Sequence, residues 1–261
     1  MIKKILKILF WVLSFSGSLF LLSFVSKNHN LIVLKKISVD FKNEHPYKFI
    51  TKKEVLERLS DIGLKISISR KKEIDLSRIE DLMFQFSGVK SAEVYFSNNG
   101  HLKIEIEKRI PIGRVVSSKI EENYYFDENG EKMQLCSTYV ARLPVFTGAI
   151  KHNSFLKNNE TDSVVCGQSS DVLCSISKLI NNDSFLKSQI LQIHINNNGY
   201  FELIPRIGNH RILFGNAENM EEKFNKIRLF YTKGPHPKEL NMYDTLNVMY
   251  SNQIICSKRN N

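Results

Sequence analysis

A serine three residues ahead of a lysine places a hydroxyl and an amine on neighbouring positions of one helix face, where the amine can take the hydroxyl proton during acyl transfer. This S-x-x-K spacing occurs five times, at Ser69 to Lys72, Ser87 to Lys90, Ser154 to Lys157, Ser175 to Lys178 and Ser184 to Lys187. Such abundance is what chance produces. The catalytic form also needs a companion S-x-N and a K-T-G on a neighbouring strand. The S-x-N to weigh, Ser26-Lys27-Asn28, sits beside an apolar run, and K-T-G is absent.

Metal and phosphate chemistry find no better footing. The seven histidines are scattered, with none at ligand spacing from a carboxylate or thiol. His194 and His101 fall on strand and hairpin patterns as ordinary surface histidines, and Glu105 and Glu107 occupy the polar face of a strand, where solvation explains them. No G-x-S-x-G, P-loop or G-x-G-x-x-G is present. Cys136, Cys166, Cys174 and Cys256 match no zinc or redox spacing; Cys166 and Cys174 could pair across a loop or be small buried thiols. The residues give no catalytic site, no metal and no cofactor to expect.

The elements that would have to position any site begin with an apolar run from Ile8 to Val25, preceded by Lys3, Lys4 and Lys7. Eighteen uncharged residues reach about 27 Å as a helix, close to a hydrocarbon core of about 30 Å. Twelve of them are Leu, Ile, Phe or Val, giving roughly −4 to −7 kcal/mol of insertion energy before the smaller penalty from four serines and Gly17. A cleaved signal peptide has a shorter apolar region ending in a small-x-small site. Here Ser16-Gly17-Ser18 lies inside the run, so an uncleaved transmembrane helix over 8–25 is expected. The lysine bias leaves a cytoplasmic tip, 1–7, and exports the rest.

The formal net charge of +10 raises nucleic acid as a partner. Residues 1–36 hold six lysines and no acid, which leaves 31 basic against 27 acidic side chains beyond them. The basicity is therefore largely juxtamembrane. Lys35, Lys36, Arg70, Lys71 and Lys72 read as solvated faces or headgroup neighbours, and no basic stripe interleaved with aromatics accompanies them.

Beyond the apolar run, Ile37, Val39 and Phe41 alternate with polar residues as in a half-buried strand. Thr51-Lys52-Lys53-Glu54 forms a capping box, with Ile50 and Val55 at the staple positions and a stripe of Val55, Leu56, Leu59 and Ile62 behind it. Leu76, Ile79, Leu82, Met83 and Phe86 predict a second helix ended by Gly88. Strands through Ala92, Val94, Phe96 and Leu102, Ile104, Ile106 flank the turn Asn99-Gly100. The order strand, helix, helix, strand, strand predicts two helices on one face of a three-stranded sheet over 34–110, closed by Pro111.

Residues 111–257 are strand-rich. Strands are expected at 124–126, 132–135, 144–148, 191–195, 200–204 and 211–214, with an exposed Ser- and Asn-rich loop over 151–170. Leu173, Ile176 and Ile180 mark a short helix, and Met220, Phe224, Ile227 and Phe230 a late amphipathic one. Leu246, Val248 and Tyr250 put one last strand before Cys256. The fold class is α+β.

This order resembles the FtsQ/DivIB family of cell-division proteins. The motifs that carry the resemblance run in order along the chain: Phe49-Ile50-Thr51-Lys52-Lys53-Glu54-Val55, Phe86-Ser87-Gly88-Val89-Lys90-Ser91-Ala92-Glu93-Val94, Glu107-Lys108-Arg109-Ile110-Pro111, Tyr125-Phe126-Asp127-Glu128-Asn129-Gly130, Leu143-Pro144-Val145-Phe146-Thr147-Gly148, and Ile212-Leu213-Phe214-Gly215 leading to Glu222-Lys223-Phe224. The ending Asn252-Gln253-Ile254-Ile255-Cys256 looks like the Bacteroidetes branch.

The resemblance implies a POTRA domain over 34–110, an FtsQ-type β domain over 111–257, and no catalysis. It implies a scaffold at the division septum of the inner membrane that binds bitopic FtsB- and FtsL-like proteins through its last strand and the turn after it. The matching positions are Leu246, Asn247, Val248, Met249, Tyr250, Ser251, Asn252 and Gln253. Met249 stands where a basic residue commonly precedes the aromatic, Ile254 and Ile255 replace a tryptophan region, and the first POTRA strand reads Lys42-Asn43-Glu44 in place of the usual Asn-Gly. A POTRA-bearing chaperone, receiving client strands near Val94 to Phe96, is the other reading.

Overall fold

The structure, a computed structural model, describes residues 9–18, 32–97, 99–150 and 170–259. Residues 9–18 are helical and keep Leu9, Phe10, Trp11, Val12, Leu13 and Phe15 exposed. The rest of the expected span, Ile8 and residues 19–25, lies outside the described residues, as does the expected loop up to residue 169. Among the described residues, no helix is long and apolar enough to cross a membrane.

Contacts divide the chain between Lys108 and Arg109 into two compact units. In the first, β1 (Lys36–Phe41), α1 (Lys52–Asp61), α2 (Leu76–Phe84), β2 (Val89–Phe96) and β3 (His101–Lys108) follow the expected order. The sheet runs β1-β3-β2, with β1 parallel to β3 and β2 antiparallel to it. The capping box forms: the Glu54 amide donates to Thr51 Oγ1 at 3.3 Å and the Thr51 amide to Glu54 Oε2 at 2.9 Å. It starts α1 so that Val55 and Leu59 are buried with Ile79 and Met83 of α2 against Val94, Leu102, Ile104 and Ile106. At about 1.5 to 3 kcal/mol for each large apolar side chain fully buried, this one-sided core is the main stabilising term.

Two expectations change here. Leu56 and Ile62 do not join the buried stripe but face solvent. Gly88 does not end α2, which stops at Phe84 with Gln85 as its cap. Gly88 is instead where the chain entering β2 passes Phe49, and an added Cβ would lie 2.7 Å from Phe49 Cβ. Pro111 opens the first strand of the next unit. Asn43, which stands in the departed position after β1, clamps Lys108 of β3 reciprocally: its Nδ2 donates to the Lys108 carbonyl at 2.9 Å and its Oδ1 accepts from the Lys108 amide at 2.8 Å.

The second unit is built on a nine-stranded sheet. Its strands are β4 (Pro111–Val115), β5 (Tyr124–Asp127), β6 (Lys132–Met133), β7 (Val145–Gly148), β8 (Ile190–Ile195), β9 (Phe201–Pro205), β10 (Arg211–Gly215), β11 (Tyr243–Asn247) and β12 (Ile255–Lys258). They lie in the order β12-β11-β10-β9-β8-β7-β4-β5-β6. The helices are α3 (Ser170–Asn181), α4 (Ser184–Gln189) and α5 (Met220–Lys233). Leu173, Ile176 and Ile180 of α3 and Phe224, Ile227 and Phe230 of α5 share one core with Phe126, Phe146, Phe201, Phe214 and Leu246. β4 and α4 were not expected. The signal for α4 was Asp183, whose carboxylate accepts from the Phe185 and Leu186 amides at 2.9 and 3.1 Å as an N-cap.

Candidate partner-binding site at the carboxy-terminal sheet edge

The single last strand expected through Leu246, Val248 and Tyr250 is two strands. β11 ends at Asn247, the chain turns over 248–254, and β12 returns antiparallel with Ile255 opposite Asn247 and Cys256 opposite Leu246. Two asparagines make the turn. Asn247 Oδ1 accepts the Met249 amide at 3.0 Å, and Asn252 adopts the left-handed conformation, φ +58°, that asparagine tolerates. At this end of the sheet the edge strand is therefore β12, all four of whose residues are exposed, and not β11.

The eight expected binding residues split accordingly. Leu246 and Val248 are fully buried, and the Val248 amide donates to the Leu213 carbonyl at 3.1 Å. Asn247 is half-buried, while Met249, Tyr250, Ser251, Asn252 and Gln253 form an exposed turn. Tyr250, at 50% exposure, is not the core residue that its alternation with Leu246 and Val248 allowed.

Beneath the turn sit residues of the motif Ile212 to Gly215 and Glu222 to Phe224. Gly215, at φ +77°, lies so close to Met249 that a Cβ would fall 2.8 Å from its Cγ. The Phe214 and Phe224 rings pack at 4.8 Å between centroids, and Lys223 Nζ lies 5.2 Å over the Phe214 ring. Lys223 Nζ also donates to the Asn216 carbonyl at 2.9 Å and to its Oδ1 at 3.0 Å. Burial pushes the Lys223 ammonium below the usual lysine range.

One turn along α5, Lys226 and Glu222 pair at 3.2 Å and grip the turn from both sides. Lys226 Nζ donates to the Tyr250 carbonyl at 2.7 Å, and Glu222 Oε1 accepts the Asn252 amide at 3.3 Å. That amide first, and Lys226 second, hold the Glu222 carboxyl below its ordinary range. Glu222, Lys226, Asn225, Leu229, Asn252 and Ile254 line an open groove of about 640 Å3 with Gln253. Sequence patterns did not single out Lys226. Its i, i+4 spacing from Glu222 was the available signal.

Among the described residues, the candidates for chemistry are not drawn together. Ser175 Oγ donates back to the Asp171 carbonyl at 2.7 Å within α3, and the Ser154 to Lys157 pair lies outside the described residues. His194 Nδ1 shares a hydrogen bond with Thr147 Oγ1 at 3.2 Å across neighbouring strands. Among the described residues, no group of three His, Cys, Asp or Glu could hold a metal ion. Cys136, Cys174 and Cys256 carry free thiols, and Cys166 is outside the described residues.

Two family models match the chain: one described as POTRA-like domain over residues 33–107, and one described as FtsQ/DivIB, C-terminal related, over residues 110–257. No curated protein matches it. An α+β chain with a POTRA-like domain followed by a β-rich domain that matches over more than half its length belongs to the FtsQ/DivIB-related family.

Proposed function

We propose that this chain is a non-catalytic scaffold of the cell-division machinery, anchored in the inner membrane by residues 8–25, that binds bitopic FtsB- and FtsL-like proteins and supports septum assembly. Domains of the FtsQ/DivIB-related and POTRA kinds are typically non-catalytic. The observation that carries the reading is β12: an exposed edge strand beside an exposed turn that α5 braces. A partner strand added along β12 gains main-chain hydrogen bonds, and Met249 to Gln253 supply side chains for specificity. Leu246 and Val248 act from below by holding the turn in place.

The anchor is supported by the uncharged run and by the exposed apolar side chains of residues 9–18. In this reading the bulk of the chain is periplasmic and gathers at the septum. The chaperone alternative is less favoured, because the outward Val94 amide of edge strand β2 already donates to Glu80 Oε1 at 2.9 Å. Co-purification of the full chain with tagged FtsB- and FtsL-like proteins tests the proposal, together with depletion in cells. Normal septation after depletion, with those partners still at the septum, would overturn it.

A further inference from the structure

In the first unit, the end at which the chain enters is made of three segments tied by backbone hydrogen bonds. The loop after α1 is bonded to residues 32–34: the Leu34 amide donates to the Ser69 carbonyl at 2.9 Å, the Ser67 amide to the Leu34 carbonyl at 2.7 Å, and the Lys71 amide to the Ile32 carbonyl at 2.9 Å. Val33 and Arg70 form an antiparallel bridge. The β2–β3 hairpin joins them, the Lys35 amide donating to the Gly100 carbonyl at 2.8 Å. That loop is built unlike a solvated one. Ile66 and Ile68 are 51% and 69% exposed, and Ile68 is the most exposed large apolar residue of this unit among those described outside 9–18. The same stretch of chain carries Lys65, Arg70, Lys71 and Lys72, with no acidic residue between Asp61 and Glu73. The Glu73 carboxylate is itself turned to the Arg70 amide at 3.3 Å.

Only six residues separate Val25, where the apolar run stops, from Ile32, to which the loop is bonded. Seven residue steps reach at most about 25 Å when fully extended. Lys27, Lys35 and Lys36 add positive charge along the same approach. Two exposed apolar side chains flanked along the chain by cations and held within that tether match an anionic bilayer surface, in which the isoleucines enter the acyl boundary while the lysines and arginine meet headgroup phosphates. We infer that the 65–72 loop is a second membrane contact, seating the POTRA-like unit against anionic lipid and fixing its orientation relative to the anchor. The inference rests on the proposed anchor.

The test uses the full chain in phosphatidylethanolamine vesicles containing phosphatidylglycerol, with bromine on the acyl chains as a fluorescence quencher. Trp11 is the sole tryptophan, so the unaltered chain reports the anchor. The variant W11F/I68W moves the one indole into the loop, at a position exposed enough to accept the ring. Both proteins should be quenched, the second with a blue-shifted emission that returns toward the aqueous value when Lys71 and Lys72 are also changed to Gln, when salt is raised, or when phosphatidylcholine replaces the anionic lipid. Quenching of the unaltered chain without quenching of the loop variant overturns the membrane contact and leaves the anchor standing; a protein partner for the loop would give this result. Quenching of neither overturns both. Quenching of the loop variant alone removes the span and overturns the inference of a second contact oriented relative to it.

Discussion

Lys226 Nζ donates to the carbonyl of Tyr250 at 2.7 Å, so a cation on α5 fixes the backbone of the turn that holds most of the expected partner-contacting positions. The lysine is nearly buried, and Glu222 completes its coordination from the preceding turn of the helix. A buried cation with two fixed oxygen partners is more rigid than a surface pair, and the turn inherits that rigidity.

Lys226→Met should therefore loosen the turn. A hydrogen bond to a charged group is worth about 1.5 to 3 kcal/mol. Urea unfolding should show a loss in that range, and partner binding should weaken with it. Lys53→Met, at an exposed i, i+4 pair with Glu57, should stay within about 0.5 kcal/mol of the parent.

Acid should release the same turn by another route. The Glu222 carboxyl is depressed below its ordinary 4.5 by the Asn252 amide and Lys226, so its contribution is complete above that value and is lost as pH falls through the folded-state value. Amide exchange at Asn252, compared with Glu222→Gln at each pH, should show protection in the parent that disappears as pH falls through the depressed folded-state value. Protection that is equal in the two proteins at neutral pH would remove the role given to Glu222.

His210 sets a different pH window. It is buried, its Nε2 shares a hydrogen bond with Tyr231 Oη at 2.7 Å, and burial pushes its pKa below the ordinary 6.5 while raising that of Tyr231 to about 12. The unfolded chain takes up a proton near pH 6.5 and the folded chain does so only at lower pH, so stability falls as pH drops below 6.5. The slope of stability against pH between about 6.5 and 5 should be smaller in His210→Gln, measured by thermal or urea unfolding.

Gly88→Ala places a methyl group 2.7 Å from Phe49 Cβ, inside van der Waals contact, and Phe49 is buried. The backbone leading into β2 or the 49–50 segment must shift, at about 1 to 3 kcal/mol. Gly63→Ala meets open space and bears only the left-handed backbone penalty at φ +84°. Thermal unfolding of the two variants should separate crowding from backbone strain, with Gly88→Ala the more damaging.

Proline along β12 should distinguish backbone from side-chain recognition. The Arg259 amide donates inward to the Met242 carbonyl at 2.8 Å, so strand alternation turns the Ser257 amide inward and the Cys256 and Lys258 amides outward. Cys256→Pro and Lys258→Pro should abolish partner co-purification with little change in folding, whereas the corresponding alanines should bind nearly as the parent does. Val248→Pro is not a clean probe, because its amide already serves Leu213 within the fold.

Local patterns along the chain fixed what local forces decide. The Thr51 to Glu54 capping box, the alternation in β1, β2 and β3, the Gly100 turn and the α5 stripe all appear where short-range geometry and amphipathic period require them. Short-range signals failed where a long-range partner decides the outcome: α2 stops before Gly88, and Gly88 is small because Phe49 crosses it. The turn after Asn247 was marked by Asn247 and Asn252, yet the continuing alternation of Leu246, Val248 and Tyr250 hid it.

The amino-acid order by itself determined an uncharged N-terminal run, a strand-helix-helix-strand-strand unit and a strand-rich remainder, because each depends on residue type and local spacing. Only the tertiary structure decided which strand ends the large sheet and which turn residues face outward. Those follow from β12 pairing over β11 and from Lys226 reaching 24 positions along the chain to Tyr250, and hydrogen bonds between segments so far apart leave no period in the sequence.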